Sequence, residues 1–163
     1  MPSGRIHSLA NITVAISGAT VMLFIGQSTE GIIGVATGAV TGCLISPDAD
    51  VDSGAIADYY IRVYTSRIVE AVWTMLWLLY RKALKHRSFL SHFPLVSTII
   101  RIFYLGMLCG MFYFLIATPL KYLSGLVRID WPLFLWWAFV GLVLADTAHW
   151  ALDELDEKLG GRL

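Results

Sequence analysis

Cysteine, histidine, proline and charge are all scarce in this chain. Its 163 residues include 2 Cys, 4 His and 5 Pro, and only 15% are charged. Cys43 and Cys109 lie in separate apolar segments with no Cys-x-x-Cys spacing, so they read as buried free thiols. Net charge is +0, which argues against a nucleic-acid partner, because nucleic-acid-binding domains are usually basic. The first apolar run continues into a second with no small-residue cleavage site, so no cleavable signal peptide is expected. No internal repeat or low-complexity segment is present.

Apolar residues are what the chain has in excess. They make up 57% of it, with a mean hydropathy of +0.69. Soluble domains run at about 45–50%, so the composition points to a membrane. Six Trp, seven Tyr and eight Phe suit interfacial belts. The length fits one domain over residues 1–163.

Four apolar runs are long enough, alone or in a hairpin, to serve as spans: residues 9–27, 32–46, 94–118 and 131–150. The second is short but rich in Gly and Ala, which allows close helix packing in lipid. Residues 27–31 read as a tight turn. Residues 56–85 carry Asp58, Arg62, Arg67 and Glu70 and read as one long amphipathic helix at the interface. The last helix is expected to continue past Trp150 through Asp153 to Lys158 into water. The fold class is therefore all-α, an integral-membrane helical bundle of about four spans plus an interfacial helix. This topology puts ten of the twelve Lys and Arg residues on one side, with only Lys121 and Arg128 opposite. By the positive-inside rule that side is cytoplasmic.

Three polar clusters fall on that same side: residues 46–52, 86–92 and 146–149. Carboxylates and imidazoles are costly near a bilayer and by default indicate function. Asp and His donors together point to a divalent metal, zinc first, with iron or manganese as alternatives. Asp146 and His149 are three apart on a helix and share a face, with Asp153 one turn further on, where it could orient His149. Asp146 could instead pair with Arg101 or another base. His86 and His92 are six apart, so a break between them is needed for both to point inward. Ser88 or Ser91 would cap the next helix and Pro94 would sit in its first turn. Alternatively, the basic stretch from Arg81 to Arg87 simply meets acidic lipid headgroups. Asp48, Asp50 and Asp52 alternate, which in an extended strand places them on one side. The pattern departs from a calcium loop at Ser53 and Tyr59. Asp48 and Asp50 read as ligands, and Asp52 with Ser53 as a helix cap. His7, ahead of the first span, is a further imidazole on the same side.

These motifs, in this order, carry a resemblance: His7, Ser-Pro-Asp-x-Asp from Ser46 to Asp50, His-Arg-Ser-x-x-Ser-His from His86 to His92, Thr98 with Arg101, and Asp146 with His149 and Asp153. The chain resembles a bacterial family of uncharacterised metal-binding membrane proteins, itself similar to the YdjM-like inner-membrane metal-dependent hydrolases. More distantly the pattern looks like that of zinc-dependent phospholipases C, from which it departs in its spans and its fewer histidines. The resemblance implies a metal site in the bacterial inner membrane. The expected metal ligands are His7, Asp48, Asp50, His86, His92, Asp146 and His149. If the protein is an enzyme, metal-assisted hydrolysis of a phosphoester or lipid-like substrate is expected, with Asp50 or Asp153 as general base and Arg87 or Arg101 holding an anionic substrate. The alternatives are a non-catalytic metal-binding or assembly factor with a structural ion, and a metal-free membrane scaffold. Membrane lipid is the expected partner.

Overall fold

A computed structural model describes residues 3–51, 55–86, 88–111 and 129–161. Among them are seven α-helices, one 3₁₀ turn and no strand. Helix α1 is Gly4–Phe24 and α2 is Thr29–Thr41. The turn expected over residues 27–31 lies earlier, at residues 25–28, and residues 29–31 already form the first turn of α2. Gly26 takes a φ of 70°, a conformation open to glycine, and the Ser28 hydroxyl caps α2 by accepting the amide of Gly31. The 3₁₀ turn Pro47–Asp50 follows α2, started by the fixed φ of Pro47. Its backbone is turned, so Asp48 and Asp50 are not on an extended strand as their alternation suggests. Asp52 and Ser53 lie outside the described residues.

The expected long helix over 56–85 is two helices, α3 (Ile56–Tyr64) and α4 (Arg67–Ala83). The break falls at Thr65–Ser66, where the Ser66 hydroxyl accepts from the Val69 amide and starts a new helix. A second break comes where His86 and His92 require one. Ser88 caps the short α5 (Phe89–His92), and Pro94 opens α6 (Pro94–Met111). Helix α7 runs Trp131–Lys158, capped by Asp130, whose carboxylate accepts from the Leu133 amide.

Helices α1, α2 and α7 form the main bundle, and small residues set their spacing. A Cβ added at Gly38 would fall 1.9 Å from the Ala138 carbonyl oxygen, and one at Gly141 would fall 2.2 Å from that of Val35. Gly31 and Gly34 face the Trp137 end of α7, and Gly42 faces Ala145, so α2 runs parallel to α7. Helix α1 is antiparallel to both: Gly18 meets Val35 and Ala15 meets Ala39 and Ala145. This is the close approach that the Gly/Ala-rich run predicts. An aromatic cluster joins the rest. Trp77 and Tyr80 of α4 pack on Ala49 of the 3₁₀ turn and on Tyr104 of α6, whose hydroxyl donates to the Leu76 carbonyl.

Among the described residues two helices, α1 and α7, are long and apolar enough to cross a membrane, by length and composition. Sequence patterning counts four. Helix α2 has 13 residues, about 20 Å at about 1.5 Å per residue, too short to span alone. Helix α6 is a shorter apolar helix, and the rest of the 94–118 run lies outside the described residues.

Candidate metal centre

All four histidines of the chain meet at one end of the bundle. His7 comes from the first turns of α1, and His149 and Asp153 from the last turns of α7. The 3₁₀ turn after α2 supplies Asp48 and Asp50, and His86 and His92 flank and end α5. The antiparallel packing of α1 on α7 is what brings residue 7 to residue 153.

Three groups of donor atoms lie within metal-ligand reach: His7, His149 and Asp153; Asp48, His92 and His149; and Asp50, His86 and His92. The first two share His149 and make an inner centre. His7 Nε2 lies 3.4 Å from Asp153 Oδ1. His149 Nε2 lies 3.5 Å from Asp153 Oδ2 and 3.4 Å from Asp48 Oδ1. His92 Nε2 lies 3.8 Å from Asp48 Oδ1 and 4.0 Å from Asp153 Oδ2. The His7 and His149 rings stack at 3.8 Å.

These separations decide what the cluster is suited to. They exceed the 2.7–3.2 Å of a good hydrogen bond. Two ligands each about 2.1 Å from a tetrahedral ion lie about 3.4 Å apart. The donors are also buried: His7 is 3% exposed, His149 1% and His92 7%. Both ring nitrogens of His7 and of His149, Nε2 of His92 and Oδ1 of Asp48 have no hydrogen-bond partner. Buried polar atoms are rarely left so, and the Nε2 atoms of His7, His92 and His149 all face the Asp48 and Asp153 carboxylates. The donor set therefore fits a divalent cation. Burial pushes the Asp48 carboxyl up, but the His149 and His92 imidazoles beside it outweigh burial and hold it well below the usual carboxylate range, ready as an anionic ligand.

Other sequence candidates fall around this centre. Asp50 accepts or shares a hydrogen bond with His86 Nδ1 at 2.7 Å. Asp146 lies outside the three donor groups. Its carboxylate accepts from Thr98 and Arg101, the salt-bridge alternative that its sequence context also allowed. Arg101 is 0% exposed and its Nη2 donates to Asp146, so it is closed off from an anionic substrate arriving from solvent. Arg87 lies outside the described residues.

Sequence reasoning cast Asp153 as a base or orienting group, whereas it joins the donor groups directly. Its spacing of four from His149 on one helix face was the available signal. The Arg81 contacts have no counterpart in the sequence pattern. Buried Arg81 bonds both oxygens of Asp58 at 3.1 Å and donates to the Ala49 carbonyl at 3.1 Å, which ties the 3₁₀ turn carrying Asp48 and Asp50 to α3 and α4. Nothing local in the sequence pairs residues 32 positions apart. Tyr80, next to Arg81, has its phenol pushed up to about 12, chiefly by burial.

The model of one protein family, DUF2227, described as uncharacterized metal-binding proteins, matches residues 2–162. No curated protein and no solved structure matches the chain.

Proposed function

The chain belongs to this family of metal-binding proteins, and from that premise we propose that it is a membrane-embedded, metal-dependent hydrolase of phosphoester or lipid-like substrates. The observation that carries the metal reading is the set of buried donor atoms from His7, Asp48, His92 and His149 that face one another at ligand spacing without hydrogen-bond partners. Those four residues with Asp153 would hold the ion. Zinc suits the nitrogen-rich set best, with iron or manganese as the alternatives where five donors bind. When bound, such an ion supplies a water acidified to a pKa of about 7 and polarises a phosphoryl oxygen.

The membrane reading is supported by the distribution of polarity. Only 28% and 22% of the most apolar windows of α1 and α7 are buried, while Leu9, Ile16, Leu23 and Trp136 face outward and His7, Asp146, His149 and Asp153 face inward. The core helix of a soluble protein shows the reverse. We place the protein in the bacterial inner membrane, with the site at the cytoplasmic face, from the Lys and Arg asymmetry and the family resemblance. The hydrolase reading is supported by the edge of the site. The His86 side chain is 35% exposed beside buried Asp50, so the cluster reaches solvent on one side. A pocket of about 340 Å³ lined by Arg5, Asp58, Tyr59 and Arg62 opens beside the first turn of α1; Arg62 is paired with Glu70 at 2.7 Å, so Arg5 is the basic group that would receive an anionic headgroup there.

One observation favours a non-catalytic reading. The inner donors are nearly closed off from solvent, as in a structural staple. The test separates the two. Detergent-purified, metal-loaded protein should hydrolyse members of a phosphoester and phospholipid panel, and the turnover should disappear on chelation and in His149→Ala. Metal-loaded protein with no turnover on the panel sinks the enzyme reading and leaves the staple.

A further inference from the structure

We propose that Asp50, His86 and His92 form a second metal site, which holds a divalent cation of its own on the outer side of the inner centre. The inference rests on the inner centre being metal-binding and adds a separate ion to it.

The three donors lie within ligand reach of one another. The simpler account would have Asp50 merely orient the two imidazoles. That account fits half of its carboxylate: Oδ1 meets His86 Nδ1 at 2.7 Å. Oδ2 is 3.7 Å from His92 Nδ1, too far for a hydrogen bond, and it is buried without a partner on a side chain 0% exposed. An unpaired buried carboxylate oxygen is costly, and a cation between the two rings satisfies it. The two nitrogens of the His92 ring also face different sides. Nε2 points to Asp48 in the inner centre, and Nδ1 points to Asp50.

Ser91 Oγ lies 3.0 Å from His92 Nδ1 but also contacts the Lys85 and Ser88 carbonyls at 3.1 and 3.2 Å, so it can release the ring and keep two partners. His92, with Nε2 toward Asp48 and Nδ1 toward Asp50, would serve both sites, and to do so its ring would have to give up its proton to solvent. Because His86 is partly exposed, the outer ion exchanges faster than the inner one.

The experiment counts zinc per chain by elemental mass spectrometry on the full-length protein in detergent, after zinc loading and a brief chelator wash of graded length. Wild type should hold two ions, one lost early and one late. Asp50→Asn, which keeps the shape of the side chain, and His86→Ala at the exposed edge should each hold one, with the slow ion retained as the sign that the fold and inner centre are intact. One ion in wild type, unchanged in both variants, overturns the second site and leaves the inner centre standing. Two ions in both variants also overturns it. No zinc above background in wild type overturns the second site and the metal reading together.

Discussion

Gly38→Ala tests how the bundle holds the site. The added Cβ would lie 1.9 Å from the Ala138 carbonyl oxygen and 2.7 Å from its carbon. A normal carbon–oxygen contact is about 3.2 Å, so α2 must back away from α7 by about 1.3 Å at this level. The obstacle is helix backbone, which cannot rotate aside. Overpacking of this kind costs about 1–3 kcal/mol, and a backbone clash belongs at the upper end. Alanine returns about 1 kcal/mol of helix propensity over glycine. The net loss is about 2 kcal/mol, a fall in Tm of roughly 4–8 °C for a chain of this size. The shift has a second effect. Helix α2 leads into the 3₁₀ turn, so moving it displaces Asp48 from His149, and metal sites tolerate ligand errors of only about 0.2 Å. Thermal unfolding in detergent and metal content would both be measured. Gly106→Ala is the control, because a Cβ there meets nothing within 4 Å. If Gly38→Ala melts like Gly106→Ala and keeps full metal, the packing argument is wrong.

The remaining predictions are shorter. Arg101→Met strands the Asp146 carboxylate in the core, which costs about 3–5 kcal/mol, while replacing both residues with apolar ones recovers most of that; denaturation of the two variants compares them. Arg81→Gln releases the Ala49 carbonyl and Asp58, so metal affinity should fall about 10–100-fold in competition with a chelating dye, with Arg81→Lys between the two. Metal occupancy should fall as the pH is lowered, because protons compete with the ion for the imidazole and carboxylate donors; equilibrium dialysis over a pH series reads it, and occupancy that does not change with pH would count against these ligands.

The site was legible in the sequence because its residues are chemical exceptions. His92 and His149 stand out from apolar surroundings, and the serines before His92 announce the break that turns it inward. The fold was legible where composition dictates spacing, as in the glycines of α2 against α7. Helix ends and pairings were harder. Thr65 and Ser66 look like two polar residues on an amphipathic face, and only the hydroxyl cap on Val69 shows that a helix ends there. Asp146 reads from sequence first as a ligand beside His149, with Arg101 only as the alternative partner, and it pairs instead with Arg101 and Thr98 because α6 packs beside α7 at that level. The Arg81 to Ala49 bond depends on the path of the chain between them, which periodicity does not encode.

Whether the buried His and Asp centre holds a metal ion is read from elemental analysis of the protein purified in detergent without added chelator. Wild type should carry at least one divalent ion per chain, and His92→Ala and His149→Ala should each lose it. Background metal in wild type, with no difference in either variant, would contradict the metal reading.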